Sequence, residues 1–233
     1  MIPILYQDKT LAVCLKPPGV LSQDGPGSAL PALLREQLGC EIFPVHRLDR
    51  EAGGVMVCAK TSRAAGTLSG AMAQGGFRKE YLCIIRGYPE EKEGTWKDLL
   101  FHDKTRNKSF VVQRMRGGVK EARLDYQVLA EKDGLSLVRV LLHTGRTHQI
   151  RVQFASRGFP LLGDGKYGGG SGGLALWSAF LAFPHPASGE PMSFQSPPEG
   201  GVWTAFTAIP PSSKAPRELS PSEAAGFADN ILK

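Results

Sequence analysis

The sequence predicts one α+β domain, because strand-like and helix-like segments follow one another along a chain of ordinary composition. Apolar runs rich in β-branched residues, such as 54–59 and 136–142, are typical of strands. Helical spacing between recognisable end signals occurs at 28–38 and at 61–73. The 233 residues suffice for one large domain with a buried core.

Each element is assigned from its apolar periodicity and from the residues that begin or end it. The expected strands are 4–6, 11–15, 54–59, 77–87, 123–129, 136–142, 174–182 and 192–195. The expected helices are 28–38, 61–73 and 147–158. Ser28 and Thr147 are expected to cap the first and third helices, and Thr61 or Ser62 the second, because their hydroxyls can accept hydrogen bonds from first-turn amides.

Composition limits the classes to which the chain can belong. A hydrophobic content of 42% and a charged content of 21% are those of an ordinary soluble protein. No apolar run approaches the ~20 residues of a membrane span, and the N-terminus lacks the basic segment of a signal peptide. The four cysteines have neither metal-ligand nor secreted-disulfide spacing. We therefore expect a cytoplasmic protein with reduced thiols and no metal site.

Chemistry-bearing groups are concentrated in the stretch Val45-His46-Arg47-Leu48-Asp49-Arg50. Its two apolar residues can anchor it in the core, and the strand predicted at 54–59 follows directly. The flanking arginines favour the ionised form of Asp49. A charged carboxylate beside cations can act as a nucleophile or hold a polar ligand. The alternative interpretation is a surface turn with a routine Arg–Asp pair.

Arg151 falls near the start of the helix predicted at 147–158. A cation gains nothing from the helix dipole at that end. We therefore expect a carboxylate or a phosphate to hold it. His143 and His148 are five residues apart across Gly145, which is not the spacing of a helical metal-binding pair.

Basic residues also concentrate between positions 102 and 120. Only Asp103 opposes six cations, which are Lys104, Arg106, Lys108, Arg114, Arg116 and Lys120. The segment is predicted to be a basic hairpin or loop that projects from the body. It is either a solvated loop or an arm that contacts phosphates, and the net charge of +6 mildly favours a polyanionic partner.

Taken together, these stretches resemble the RluA branch of the RNA pseudouridine synthases. Two signatures carry most of the resemblance, His46-Arg47-Leu48-Asp49 and Gly145-Arg146-Thr147-His148-Gln149-Ile150-Arg151. Smaller similarities follow in family order at 16–19, 79–81, 86–87, 163–164, 167–168 and 183–186. The resemblance implies the pseudouridine synthase catalytic fold, with a long, mixed, mostly antiparallel sheet flanked by helices and an RNA cleft across one face. Residues 1–210 would form this domain and 211–233 a tail with a short helix at 222–232.

The resemblance implies isomerisation of specific uridines to pseudouridine in structured ribosomal or transfer RNA, without a cofactor or metal. The target nucleotide must leave its stack before its sugar carbon can be reached. Asp49 would act on this nucleotide, Arg151 would keep Asp49 ionised, and Tyr81 would lie against the uracil. Substrate binding is assigned to His46, Arg47, Arg146, His148, Lys104, Arg106 and Arg116. We expect a monomer that binds RNA and no membrane.

The sequence departs from the family at three places and leaves other functions open. Ala52-Gly53-Gly54 stands where Thr-Ser-Gly is usual, Gln153 where the family has histidine, and Trp177-Ser178 where it has His-Ala. These departures put substrate preference or rate in doubt more than reaction class. The main alternative is a catalytically inactive RNA-binding relative of the same fold. A hydrolase that cuts the base–sugar bond would instead release free uracil.

Overall fold

The computed structural model describes residues 1–206, within which eleven strands form one sheet. The strands are β1 (Ile4–Gln7), β2 (Leu11–Lys16), β3 (Phe43–Pro44), β4 (Gly53–Ala59), β5 (Arg78–Arg86), β6 (Glu93–Asp103), β7 (Lys108–Val112), β8 (Val119–Lys132), β9 (Leu135–Leu142), β10 (Leu176–Pro184) and β11 (Pro191–Gln195). The helices are α1 (Leu30–Leu38), α2 (Ser62–Ala73) and α3 (Gln149–Ala155), followed by a 3₁₀ turn at Gly201–Ala205. The predicted α+β class is confirmed, whereas the tail predicted at 211–233 lies outside the described residues.

Neighbouring strands follow the order β1-β2-β4-β10-β5-β9-β8-β6-β7, with β3 paired to β4 and β11 to β10. The pairings between these strands are antiparallel except for that of β10 with β4. The expected mixed, mostly antiparallel sheet is therefore confirmed. Because β10 lies between β4 and β5, a late segment of the chain reaches the centre of a sheet built mainly from earlier ones.

Helices cover both faces of the sheet, and β4 shows how its sequence produces this. Val55 and Val57 pack with Leu68 of α2 in one apolar cluster. Met56 and Cys58 point the other way, into the cluster that holds side chains of α1 and α3. Alternate residues of a strand face opposite sides of a sheet, so a continuous apolar run supplies both cores at once.

Two of the three predicted helix caps are wrong. The helix α1 begins after Ala29, without a side-chain cap, so Ser28 does not cap it. The helix α3 follows His148, which has a left-handed φ of 54°, so Thr147 does not cap it either. Instead the Gln149 side chain accepts a hydrogen bond from the Arg146 amide at 3.0 Å. Of the two caps predicted for α2, Thr61 or Ser62, the structure has Thr61, whose hydroxyl accepts a hydrogen bond from the Ala64 amide at 3.2 Å.

The strands β3 and β6 were not predicted. Exposed polar residues alternate with partly buried ones along the first half of β6, which weakens its apolar signal. Its strand character comes from the pairing with β8, from Glu93 opposite Gln127 to Phe101 opposite Val119. The basic segment is a hairpin as expected, formed by β6 and β7 around a turn at 104–107. The turn predicted at 183–186 starts later, because residues 183 and 184 still pair with β11.

The close approach of β4 to β10 depends on a glycine. Gly54 has a φ of 117°, and a Cβ atom there would lie 2.3 Å from the Ser178 carbonyl oxygen.

We predict that Gly54→Ala lowers the free energy of unfolding by at least about 2 kcal/mol, because backbone strain and a clash add. Gly66→Ala in α2 is the control, since a Cβ there meets no atom within 4 Å. It should raise stability by about 0.5–1 kcal/mol. Urea denaturation measures both, and wild-type stability of Gly54→Ala would contradict the close approach.

Candidate active site

A cleft of about 580 Å³ opens where three distant parts of the chain meet. Its walls come from residues 44–49, from Lys79 and Tyr81 in β5, and from 145–151 at the start of α3. Seven of the ten predicted site residues line it, namely His46, Arg47, Asp49, Tyr81, Arg146, His148 and Arg151. The two signatures, about a hundred residues apart in sequence, therefore share one cavity.

The Arg151 side chain joins two carboxylates. Its Nη1 donates to Oδ2 of Asp49 at 3.1 Å. Its Nε and Nη2 donate to the two carboxylate oxygens of Asp164, at 2.7 and 2.8 Å. Burial alone would lower the pKa of Arg151, but the hydrogen bonds and charges of Asp164 and Asp49 raise it above its usual range. The expectation that a carboxylate holds this arginine is confirmed.

Asp164 is the residue that sequence reasoning missed. Its side chain is fully buried, and Oδ1 also accepts hydrogen bonds from the backbone amides of Lys166 and Tyr167, at 3.1 and 3.3 Å. The turn thus fixes the carboxylate, which forms a two-point contact with the guanidinium. Two signals could have found Asp164: the expectation that an acidic group holds Arg151, and the presence of an aspartate in the family-like segment 163–168.

Tyr81 is 7% exposed, and its side chain lines the cleft. Burial and the negative charge of Asp49 raise the pKa of its phenol, while the nearby Ser178 hydroxyl lowers it. The net direction is upward, so the phenol is protonated at neutral pH. Ser178, at one of the family departures, pairs with Tyr81 in register across β10 and β5 and donates to the Val55 carbonyl at 3.0 Å.

Both predicted site histidines line the cleft, and each uses one ring nitrogen within the protein. Nε2 of His46 accepts a hydrogen bond from the Val57 amide at 3.1 Å, which ties the Asp49 loop to β4. Burial and, to a smaller extent, the positive charge of Lys79 lower the pKa of His46 to about 3. Burial likewise lowers the pKa of His148 to about 4, and its Nδ1 lies 3.0 Å from the Tyr167 hydroxyl. Both rings are therefore neutral near pH 7.

The two cleft arginines differ in how firmly they are held. Nε of Arg146 donates to the Glu121 carbonyl at 2.8 Å. Arg47 is exposed, and within residues 1–206 its side chain forms neither a hydrogen bond nor an ion pair. Arg47 is thus free to contact a ligand without first breaking a contact of its own.

Three predicted RNA-contacting residues lie outside the cleft, on the basic hairpin and the loop that follows it. Lys104 and Arg106 are exposed at the turn between β6 and β7, and Arg106 lies 3.7 Å from Asp103. Arg116 is exposed, with its guanidinium 5.1 Å from the centre of the Phe101 ring. Their positions leave their cationic groups accessible to a large polyanion.

Ser109, next to the turn of the basic hairpin, joins the hairpin to the loops beside the cleft. Its amide donates to the Tyr167 hydroxyl at 2.7 Å, and its hydroxyl donates to the Thr147 carbonyl at 2.6 Å. The Tyr167 ring also lies 5.3 Å from the Arg151 guanidinium. The hairpin is therefore joined to the loops that hold the charged pair.

A metal-binding cluster and a membrane-spanning helix are both absent from residues 1–206. Residues 1–206 contain no cluster of three or more His, Cys, Asp or Glu side chains that could hold a metal ion. None of their helices has the length and apolar character required to cross a membrane. Cys14, Cys58 and Cys83 are buried as free thiols, and Cys40 is partly buried.

Fold and cleft together define the class of protein. The chain belongs to the RNA pseudouridylate synthase family, an isomerase family whose model matches residues 10–156. The matched region contains both signatures and the whole of the Asp49–Arg151 pair. The resemblance to the RluA branch drawn from the sequence is confirmed.

Individual relatives agree with this assignment. The chain is 35% identical over 219 residues to an uncharacterized RNA pseudouridine synthase of Aquifex aeolicus, covering 83% of this chain and 68% of that protein. It is 31% identical over 217 residues to the ribosomal large subunit pseudouridine synthase C of Escherichia coli K12, covering 85% and 67%. The solved structure of human RNA pseudouridylate synthase domain containing 1 matches with a TM-score of 0.72 at 24% identity, over 85% of this chain and 84% of that one. This last similarity shows the fold.

The lowered pKa of the partly buried His46 predicts a pH dependence of stability. Its pKa is lower in the folded protein than its ordinary value of 6.5, so its stabilising contribution is present above pH 6.5 and is lost as the pH falls. One such group changes the free energy of unfolding by at most about 1.4 kcal/mol per pH unit. His46→Gln keeps an acceptor for the Val57 amide and does not titrate, so its stability should fall less steeply between pH 6.5 and 4.5. Parallel curves for the two proteins in urea denaturation would contradict this.

Proposed function

We propose that this protein isomerises a specific uridine in structured ribosomal or transfer RNA, with Asp49 as the group that acts on the flipped nucleotide. The observation that carries the proposal is the Asp49 carboxylate, held at the cleft by a guanidinium that Asp164 fixes from behind. The family membership supports the reaction class, and the positions of the side chains support their roles.

Asp49 is oriented by one oxygen and available through the other. Oδ2 accepts the hydrogen bond from Arg151, while Oδ1 accepts no hydrogen bond from any residue within 1–206. The side chain is 15% exposed, and that exposure is to the cleft. A carboxylate in this state can attack the base, attack the sugar, or remove a proton, and the proposal leaves these three routes open.

The reaction breaks the N1–C1′ glycosidic bond and forms a C5–C1′ bond, while C5 loses a proton and N1 gains one. It is an isomerisation without net oxidation or hydrolysis, so the proposal includes neither a metal nor an organic cofactor. Tyr81 supplies a flat ring against which the released uracil can turn. Its protonated phenol is also positioned to take part in the proton movement.

The cleft has the size that a flipped nucleotide requires. A volume of about 580 Å³ lies within the range of small-molecule sites, about 300–1,000 Å³. Unstacking a base costs a few kcal/mol, which protein contacts must offset. We propose that Arg47 enters the gap left in the RNA, and that Arg146, His46 and His148 line the pocket of the extruded nucleotide.

Two observations support ribosomal or transfer RNA as the substrate class. The E. coli relative is named for ribosomal large subunit RNA, and the basic hairpin, with the loop after it, presents exposed cations beyond the cleft. A folded RNA offers phosphates far from its target base, which such an arm can bind. A monomeric cytoplasmic enzyme is our expectation.

Asp49→Asn tests the assignment of the reactive group. We predict that it lowers the rate of pseudouridine formation at least about a thousandfold while RNA binding persists, because the amide keeps the shape and loses the charge. The assay is tritium release from RNA whose uridines carry tritium at carbon 5, prepared from cells that lack the gene. Asp133→Asn, at an exposed turn, is the control and should remain active. Full activity of Asp49→Asn would remove this residue from the mechanism, and free uracil from the wild type would indicate a hydrolase.

Charge reversal tests the basic hairpin. Replacing Lys104, Arg106 and Lys108 by glutamate should weaken RNA binding and reduce the slope of log affinity against log salt by about two to three units, since each lost phosphate contact removes about 0.9. The control reverses three exposed cations elsewhere, Lys9, Arg63 and Lys132. Equal slopes for the two triple variants would show that the hairpin does not bind phosphates.

A further inference from the structure

Lys79 lies where the active-site cleft meets a second, smaller cavity of about 260 Å³. Three residues line both cavities, Met72, Lys79 and Leu142. The second cavity is completed by Gly75, Phe77, Arg78, Leu141 and His143. The second cavity is therefore lined by both apolar and basic side chains, and it adjoins the proposed uridine pocket.

The ammonium group of Lys79 has no partner in the described part of the chain. It is partly buried, yet within residues 1–206 it forms neither a hydrogen bond nor an ion pair. The other two basic side chains of the second cavity have partners, since Arg78 donates to Glu80 at 2.7 Å and His143 lies 2.6 Å from Asp125. Burial lowers the pKa of Lys79, and the neighbouring charge of Arg146 lowers it further.

The position of Lys79 relative to the second signature is fixed by the backbone. A Cβ atom built on Gly145 would lie 3.7 Å from Nζ of Lys79, so the ammonium faces the start of the loop that carries Arg146. Two cations thus lie close together, and no carboxylate of residues 1–206 binds Lys79. Such an arrangement costs free energy in the isolated protein, and an anion bound between them would recover it.

We propose that Lys79 binds a backbone phosphate next to the target uridine, and that the adjoining nucleotide occupies the second cavity. This inference rests on the proposed function, because it takes the first cavity to be the uridine pocket. The substrate strand has to leave that pocket, and Lys79 stands at the boundary of the neighbouring cavity. Phe77 and Met72 provide apolar surface there for a base, and Lys79 provides the charge for its phosphate.

Lys79→Gln separates a ligand-binding role from a structural one. It should weaken binding to purified ribosomal and transfer RNA roughly tenfold, as expected for one charge-assisted contact, and reduce the salt slope by about 0.7–0.9. Its melting temperature should equal or exceed that of the wild type, because an unpaired, partly buried cation has been removed. The control is Lys9→Gln, which removes the same charge at the exposed turn between β1 and β2. A lower melting temperature with unchanged RNA affinity would overturn the proposal.

A second measurement locates the phosphate. Two oligonucleotides are made that contain the uridine converted by the enzyme. One carries a neutral methylphosphonate at the linkage before this uridine, and the other at the linkage after it. At one of these two linkages, the methylphosphonate should lower the affinity of the wild type about tenfold relative to the unmodified RNA. The same replacement should change the affinity of Lys79→Gln little, because that variant has already lost the contact. Equal losses in both proteins at both linkages would exclude this phosphate contact. If the wild type converts uridine but the binding results expected for Lys79 are not obtained, the further inference is wrong and the proposed function stands. If the wild type converts no uridine, the proposed function is refuted.

Discussion

The buried guanidinium of Arg151 is the constraint on which the site depends. Arginine cannot lose its proton at any ordinary pH, so a side chain that is 4% exposed has to be paired. Asp164 satisfies two of its donors from a tight turn, and Asp49 satisfies a third from the cleft side. The Asp49 loop must therefore come within hydrogen-bond distance of Arg151, 102 residues later in the chain, before the cleft exists.

Hydrogen bonds also fix the backbone on both sides of the loop that carries Asp49. Lys16 is fully buried, and its ammonium donates to the carbonyls of Pro17, Val20 and Arg50 at 3.0, 2.7 and 3.1 Å. This clamp joins the turn after β2 to the residue that follows Asp49. His46 fastens the other side of the same loop to β4. The Asp49 carboxylate is thus carried by a loop with both ends fixed, which keeps its geometry constant.

The cationic side chains of the cleft differ in whether they have an ion-pair partner. Arg151 is neutralised by its own carboxylates and stabilises the fold, whereas Arg47 and Lys79 have no ion-pair partner within residues 1–206. Unpaired cations around an opening reduce stability slightly and raise affinity for a polyanion. The paired charges thus lie around Arg151, and the unpaired cations Arg47 and Lys79 line the opening of the cleft.

The sequence alone determined the features that depend on neighbours in the chain. It predicted the strand at 54–59, a helix cap at Thr61 or Ser62, a basic hairpin or loop, and the two signatures with their family. Only the tertiary structure decided that Asp164 completes the charged pair, that Ser178 lies beside Tyr81, and that β6 becomes a strand by pairing with β8. The physical reason is range: caps and periodicity act within a few residues, whereas ion pairs, sheet register and cavities join segments whose meeting no local pattern records.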